Sequence, residues 1–246
     1  MPTKNIRLDI QYNGADFSGW QYQPEARSIQ GEIEEAIKKV TGQNVRLHAA
    51  GRTDAGVHAL GQVANFRIDH YLPVEKYRDA LNFYLPQTIL IAASAEVPDE
   101  YDARKSALWR HYRYIIGLER SALYYNLRWE IPCRPNVERM NKIADSIKGI
   151  HDFSAFCVVN SQKENNECDV HISQWRREES QLVFDIRANR FLHTMVRSLV
   201  GLMAEAGKDK DYLTLIEFGD ILQSGNHTRV KVVAPARGLY LVAVGY

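Results

Sequence analysis

Apolar and polar residues alternate over residues 5–12 (NIRLDIQY), the period-two pattern of a half-buried strand, and the run stops at the turn pair Asn13-Gly14. The next stretch, GADFSGWQYQPEAR, is a loop of glycines, aromatics and amides in which Trp20 and Tyr22 either stack on bases or roof the core. Ser28 has the character of a helix N-cap, with Ile29, Ile33, Ala36, Ile37 and Val40 following at helical spacing until Gly42. Strand patterns over 45–50 and 57–68 flank a tight turn. Pro73 opens a second helix with Tyr77, Leu81 and Leu85 inward, Pro86 closes it, and 88–97 reads as a fourth strand.

That order is β-α-β-β-α-β, the split ferredoxin-like arrangement, and the remaining chain repeats it. A strand over 107–118 precedes a helix over 136–148, with Val137, Met140, Ala144 and Ile147 inward. Strands near 168–177 and 181–188 follow a polar insertion at 158–167. A long apolar helix runs over 191–206 and stops at Gly207, a shorter helix starts near Asp211, and 239–244 is a final strand. The expected fold is therefore α+β: two ferredoxin-like halves, 1–103 and 104–246, joined near 99–105. Their sheets are antiparallel, their helices lie on one face, and the active-site cleft lies between them. Element order alone supports the correspondence of the halves.

Composition narrows the class. With 246 residues, 45% hydrophobic and 25% charged, the chain is ordinary for a globular protein. It contains no apolar run of membrane-spanning length, and its start (MPTKNIRLDI) lacks the apolar core of a signal peptide. Cys133, Cys157 and Cys168 cannot all pair, which fits a reducing compartment and points to the cytoplasm. The net charge of +1 does not mark a nucleic-acid binder, but its distribution says more. Arg104, Lys105, Arg110, Arg113 and Arg120 face one acid, Glu119, and Arg229, Lys231 and Arg237 face none within their segment. Such local patches can hold phosphates or simply form a solvated basic face.

The candidate chemistry centres on GRTDAGVHA, residues 51–59, where Asp54 sits between Arg52-Thr53 and the small pair Ala55-Gly56. A carboxylate held on a short turn by two strands has the placement of a nucleophile or general base, although a plain turn aspartate has the same local pattern. Arg197 lies within a helix apolar on nearly every side and needs a carboxylate partner or a route to solvent. Asp54 and Asp185 are the candidates, and an arginine beside Asp54 would favour its charged form. In WRHYRYII, Arg110, Tyr112 and Tyr114 share one strand face and His111 and Arg113 the other, a pattern suited to phosphate contact with base stacking. Cys157, Cys168, His151 and His171 are metal-ligand types without metal-site spacing, and there is no P-loop or dinucleotide fingerprint. His58 and His193 can both be satisfied structural histidines.

Taken together, these motifs resemble the TruA family of tRNA pseudouridine synthases nearly end to end. YNGADFSGWQYQ is similar to the family's opening loop, GRTDAGVHALGQVANF to its catalytic motif, and RHYRY to its Arg-x-Tyr-x-Tyr strand. FDIRANRFLHTMVRSLVG is similar to its third motif and APARGLYLVAVGY to its C-terminal signature. Asn13 replaces a usual Asp, and YDARKSA stands where FHARFSA is common. The resemblance implies isomerisation of uridine to pseudouridine at positions 38, 39 and 40 of the tRNA anticodon stem-loop, no metal or organic cofactor, and a homodimer. It implies that Asp54 is the nucleophile and that Arg52 displaces the target base and holds the backbone. It further implies that Tyr112 packs on the flipped uracil and that Arg197 pairs with the aspartate. Arg110, on the face of Tyr112, joins the expected substrate contacts.

The chemistry is consistent with those roles. A base inside a stem must be everted, at a cost of a few kcal/mol, and phosphate contacts offset that cost. The N1–C1′ bond breaks, uracil turns, and a C5–C1′ bond forms. A carboxylate can assist by attacking the sugar or the base, or by taking a proton from C2′. The competing readings are a non-catalytic RNA-binding protein and a hydrolytic glycosidase, the latter needing a second acid near Asp54.

Overall fold

The computed structural model describes residues 3–158, 165–208 and 213–246. In chain order its first elements are β1 (Lys4–Tyr12), α1 (Ile29–Thr41), β2 (His48–Ala49), β3 (His58–Ile68), α2 (Tyr77–Tyr84) and β4 (Ile89–Val97). Then come β5 (Trp109–Gly117), β6 (Trp129–Glu130), α3 (Val137–Ser146), β7 (Gly149–Asp152) and β8 (Glu167–Glu178). The chain closes with β9 (Gln181–Ala188), α4 (Met195–Lys208), α5 (Leu215–Ser224) and β10 (Leu239–Gly245). The fold is α+β with mostly antiparallel strands, and among the described residues no helix is long and apolar enough to cross a membrane.

Packing divides the chain into two units, one running to Leu108 and regaining Tyr240–Tyr246, the other Trp109–Leu239. This corrects the expected division at 103/104 in two ways. The segment 104–108 stays with the first unit, where Leu108 N–H donates to Gly245 O. The final strand, assigned to the second half by element order, pairs in parallel with β3, Tyr240 opposite His58 and Leu241 opposite Ala59. A parallel partner must come from a distant part of the chain, so no local pattern announces it.

In the first unit β1 is paired on one side with β3 and on the other with β4, both antiparallel. Ile6, Leu8 and Ile10 are fully buried, as the alternation requires. Ser28 caps α1 by accepting from Gly31 N–H, and Gly42, at φ +73°, ends it with its N–H on Lys38 O. Ile29, Ile33, Ala36 and Ile37 form the buried stripe between those caps. After Pro73 a single 3₁₀ turn leads into α2, where Tyr77 and Leu81 are buried while Leu85, expected inward, is half-buried. The strand expected at 45–50 contracts to His48–Ala49. Leu47 N–H bonds Glu34 Oε1 and Leu47 O accepts from Gln30 Nε2, so α1 side chains take the groups a longer ladder would need.

The second unit orders its strands β5-β9-β8-β7, all antiparallel, with β6 parallel to β5. Its core stacks Trp175 on Phe184 (4.9 Å), with the indole N–H on Met203 Sδ of α4 at 3.1 Å. Asn141 of α3 bonds both the N–H and the C=O of Trp175, locking helix to strand. The short strand β7 was not legible, being four mostly exposed residues paired along one edge. Helix α4 begins at Met195, four residues later than the apolar run suggests. Thr194 has φ +64°, and Phe191 is spent on an edge-to-face contact with Tyr112 (5.1 Å). Thr214 and Glu217 form a reciprocal capping box on α5. The expected helix start near Asp211 and most of the polar insertion lie outside the described residues.

Candidate active site

Asp54 occupies the loop between β2 and β3, half-buried, between the buried Thr53 and the exposed Ala55. Val57 N–H closes the turn on Asp54 O at 3.2 Å. The loop that follows β1 wraps this turn by backbone bonds. Trp20 N–H donates to Thr53 O at 3.0 Å and Gly56 N–H to Phe17 O at 3.3 Å, while Ile29 N–H bonds Gly19 O where α1 begins. The approach is close enough to require glycine twice. A Cβ on Gly14 would sit 1.9 Å from Val57 O, and one on Gly19, already at φ +94°, would sit 2.7 Å from Thr53 O.

Buried side chains complete the brace. Tyr12 Oη and Thr53 Oγ1 lie 2.7 Å apart, and Gln62 Nε2 donates to Gly51 O at 2.8 Å on the other flank. Gly14 N–H donates to His58 Nδ1 at 3.1 Å, so that nitrogen carries no proton and the imidazole is neutral. The His58 ring stacks on Tyr240 at 4.7 Å. Burial raises the Tyr240 hydroxyl to about 12. Sequence reasoning identified Asp54 but missed this frame. The available signals were Gln62 within the β3 strand pattern and a tyrosine immediately before Asn13-Gly14. Arg52 is exposed at the mouth of the same loop. Trp20 is buried and roofs the core, whereas Tyr22 is exposed.

Tyr112, Arg110 and Arg197 belong to the second unit. Tyr112 is buried on β5 with its ring against Phe191, and Arg110 Nη1 donates to Asn189 O at 2.9 Å. Tyr114, expected to share a base-stacking face with them, is fully buried and donates its hydroxyl to Pro235 O at 2.7 Å. It is therefore a core residue. On α4, Arg197 Nε donates to Ala234 O at 2.9 Å, and Ala234 N–H returns a bond to Arg197 O.

Asp185, the other carboxylate considered for Arg197, is held elsewhere. Its oxygens accept from His111 Nε2 at 2.7 Å, from Arg113 Nε at 3.0 Å, and from Arg176. Burial alone would raise this carboxyl, but the bonds from His111, Arg176 and Arg113 outweigh burial and hold it well below the usual carboxylate range. Arg113 is thereby a structural ion-pair partner. Cys157 and Cys168 are buried, and burial pushes the Cys168 thiol up to about 12. Among the described residues no three His, Cys, Asp or Glu side chains converge as metal ligands would.

Comparison with known proteins gives consistent matches. The family model described as tRNA pseudouridine synthase matches residues 10–104 and 143–246. The tRNA pseudouridine synthase A of Brachyspira hyodysenteriae is 41% identical over 240 residues, 96% of each chain. That of Thermoanaerobacter sp. is 40% identical over 246 residues, covering 99% of this chain and 100% of the relative. That of Chlorobium luteolum is 41% identical over 245 residues, covering 99% and 96%.

Proposed function

The chain belongs to the tRNA pseudouridine synthase family, and from that premise we propose that it isomerises uridines 38, 39 and 40 of the tRNA anticodon stem-loop, with Asp54 as the catalytic carboxylate. The observation that carries the reading is the brace around Asp54. A turn held from both flanks by buried side chains, and from behind by the loop after β1, supports a fixed backbone from which one carboxylate works.

In this mechanism the target nucleotide leaves the stem and Asp54 supplies the electron pair that starts cleavage of the N1–C1′ bond. The detached uracil turns, C5 bonds to C1′, the C5 proton leaves and N1 takes one up, so the product is an isomer and nothing is consumed. Arg52, exposed beside the turn, enters the gap left by the everted base and holds the phosphate chain. Tyr112 lies against the uracil, Arg110 contacts the backbone, and Arg197 is the partner of Asp54. No metal or organic cofactor takes part. The enzyme works in the cytoplasm as a homodimer that grips one tRNA with both copies.

The test is direct. Purified protein is incubated with an unmodified tRNA transcript and pseudouridines are mapped by carbodiimide-dependent reverse-transcription stops. New stops at 38, 39 or 40 are expected, and modification confined to other arms of the tRNA would contradict the reading. Release of free uracil would favour a hydrolase instead.

A further inference from the structure

We propose that Tyr114 is a positioning residue for the reaction: its hydroxyl anchors the segment that holds the Arg197 guanidinium, and so fixes where that guanidinium points. The proposal rests on the reading of Arg197 as the partner of Asp54 and adds the group that aims it. All the residues concerned belong to the second unit.

The segment is 230–235, between the 3₁₀ turns at His227–Arg229 and Ala236–Gly238. Its alternation, with Val230 and Ala234 buried and Lys231 and Val233 exposed, is that of an extended chain. It runs along α4, where Arg197 and Gly201 are about one turn apart and share a face. Gly201 allows the approach, since a Cβ there would sit 2.3 Å from Val232 O. At Arg197 two bonds are exchanged: Nε donates to Ala234 O at 2.9 Å, and Ala234 N–H donates to Arg197 O at 3.0 Å. Four helical residues rise about 6 Å and two extended residues span about 6.6 Å, so Val232 and Ala234 fall in step with Gly201 and Arg197.

The next carbonyl carries the anchor. Tyr114 Oη, at the centre of β5, donates to Pro235 O at 2.7 Å. Its ring is fully buried, edge-to-face with Trp129 at 6.3 Å, and a Cβ on Gly238 would be 2.6 Å from it. Burial pushes the hydroxyl up, against the pull of Arg197 and Arg237, so it stays a donor. A ring packed this tightly cannot follow a moving partner. Pro235 is thereby held to the sheet while Gly201 and Arg197 hold the residues before it to the helix, and Ala234 O is pinned between two fixed supports. A guanidinium is planar, so bonding its Nε to a fixed acceptor orients the fork from which its two terminal nitrogens project. Without the hydroxyl, Pro235 O keeps the long bond from Gly238 N–H, at 3.5 Å.

The test combines kinetics with the Arg197 Nε–H signal in the nitrogen–proton correlation spectrum of the full-length protein, assigned by its loss in Arg197→Lys. Tyr114→Phe keeps the ring and removes the hydroxyl. It should speed exchange of that Nε–H with water about tenfold and lower kcat on unmodified tRNA about tenfold, with KM held. Ile143→Val removes one methylene from the buried face of α3 as a control for stability alone, and should change neither reading. In Arg197→Lys the Nε donor is absent, so adding Tyr114→Phe should lower kcat by less than about twofold more. An exchange rate equal to the parent's would overturn the proposal, as would multiplicative losses in the double variant. Should Tyr114→Phe melt early, both measurements are made well below its Tm. If the parent forms no pseudouridine the isomerase reading fails, and if Arg197→Lys matches the parent the pairing with Asp54 fails. In both cases the exchange rate still decides whether Tyr114 aims Arg197.

Discussion

The hydroxyls of Tyr12 and Thr53 meet at 2.7 Å, both out of water, and tie the end of β1 to the residue before Asp54. Burial pushes the Tyr12 hydroxyl up to about 12, with the bonds to Thr53 and Gln62 pulling the other way, so it stays protonated at physiological pH. Tyr12→Phe deletes this link without opening a cavity. Losing the hydroxyl's buried bonds to Thr53 and Gln62 should cost about 1–2 kcal/mol, or roughly 2–8 °C in Tm for a chain of this size. Turnover should fall further than stability, about tenfold in kcat with KM held, because the loosened turn misplaces the carboxylate. Thermal melts and steady-state kinetics on one preparation separate the two effects.

A pair of glycines makes a sharper contrast. Gly42 and Gly19 both have positive φ, but nothing lies within 4 Å of a Cβ on Gly42, whereas one on Gly19 meets Thr53 O. Gly42→Ala should cost about 1–2 kcal/mol of backbone strain and leave kcat alone. Gly19→Ala should add a displacement of the Asp54 turn and reduce kcat about 100-fold, the usual penalty for misplacing a catalytic group by about 1 Å. Equal kinetic effects of the two substitutions would show that the loop after β1 does not position the turn.

Asp185 governs the response to acid in the second unit. Its carboxyl titrates below the ordinary range in the folded state, so the stability it contributes is complete above the unfolded value of about 3.9 and is lost as pH falls through the folded one. Asp185→Asn should therefore be less stable than the parent at pH 7, by about 2 kcal/mol, with the gap closing at low pH. Urea titrations at neutral and acid pH measure this, and a gap independent of pH would show that Asp185 is not the titrating group.

The sequence carried the local elements well because each rests on local physics. Ser28 and Gly42 bracket α1 by capping, and alternation over 5–12 puts Ile6, Leu8 and Ile10 inside. The failures lie where a distant group intervenes. Leu47 gives its backbone to Glu34 and Gln30, so β2 is short, and Phe191 meets Tyr112, so α4 starts late. The partners of Asp185 come from two other strands and follow from register, which a one-dimensional pattern does not contain. At the site, Asp54 stood out through its motif. Tyr12, Gln62 and His58 did not, because their roles exist only once β1 and β3 are side by side.

If Arg197 serves as the counter-ion of Asp54, the two act as one unit. Arg197→Met and Asp54→Asn should each remove most of the turnover, and the double variant should be little worse than either alone. Arg197→Lys keeps the charge but replaces the Nε donor to Ala234 O, and should recover part of the lost kcat. Multiplicative losses in the double variant would separate the two residues.

The most direct test of the central claim is single-turnover pseudouridine formation by Asp54→Asn, an isosteric change that removes only the charge and the nucleophile. With enzyme in excess over an unmodified tRNA, binding should match the parent and no pseudouridine should form over a time course in which the parent completes the reaction. Product formation at a rate within about tenfold of the parent's would contradict the assignment of the chemistry to Asp54.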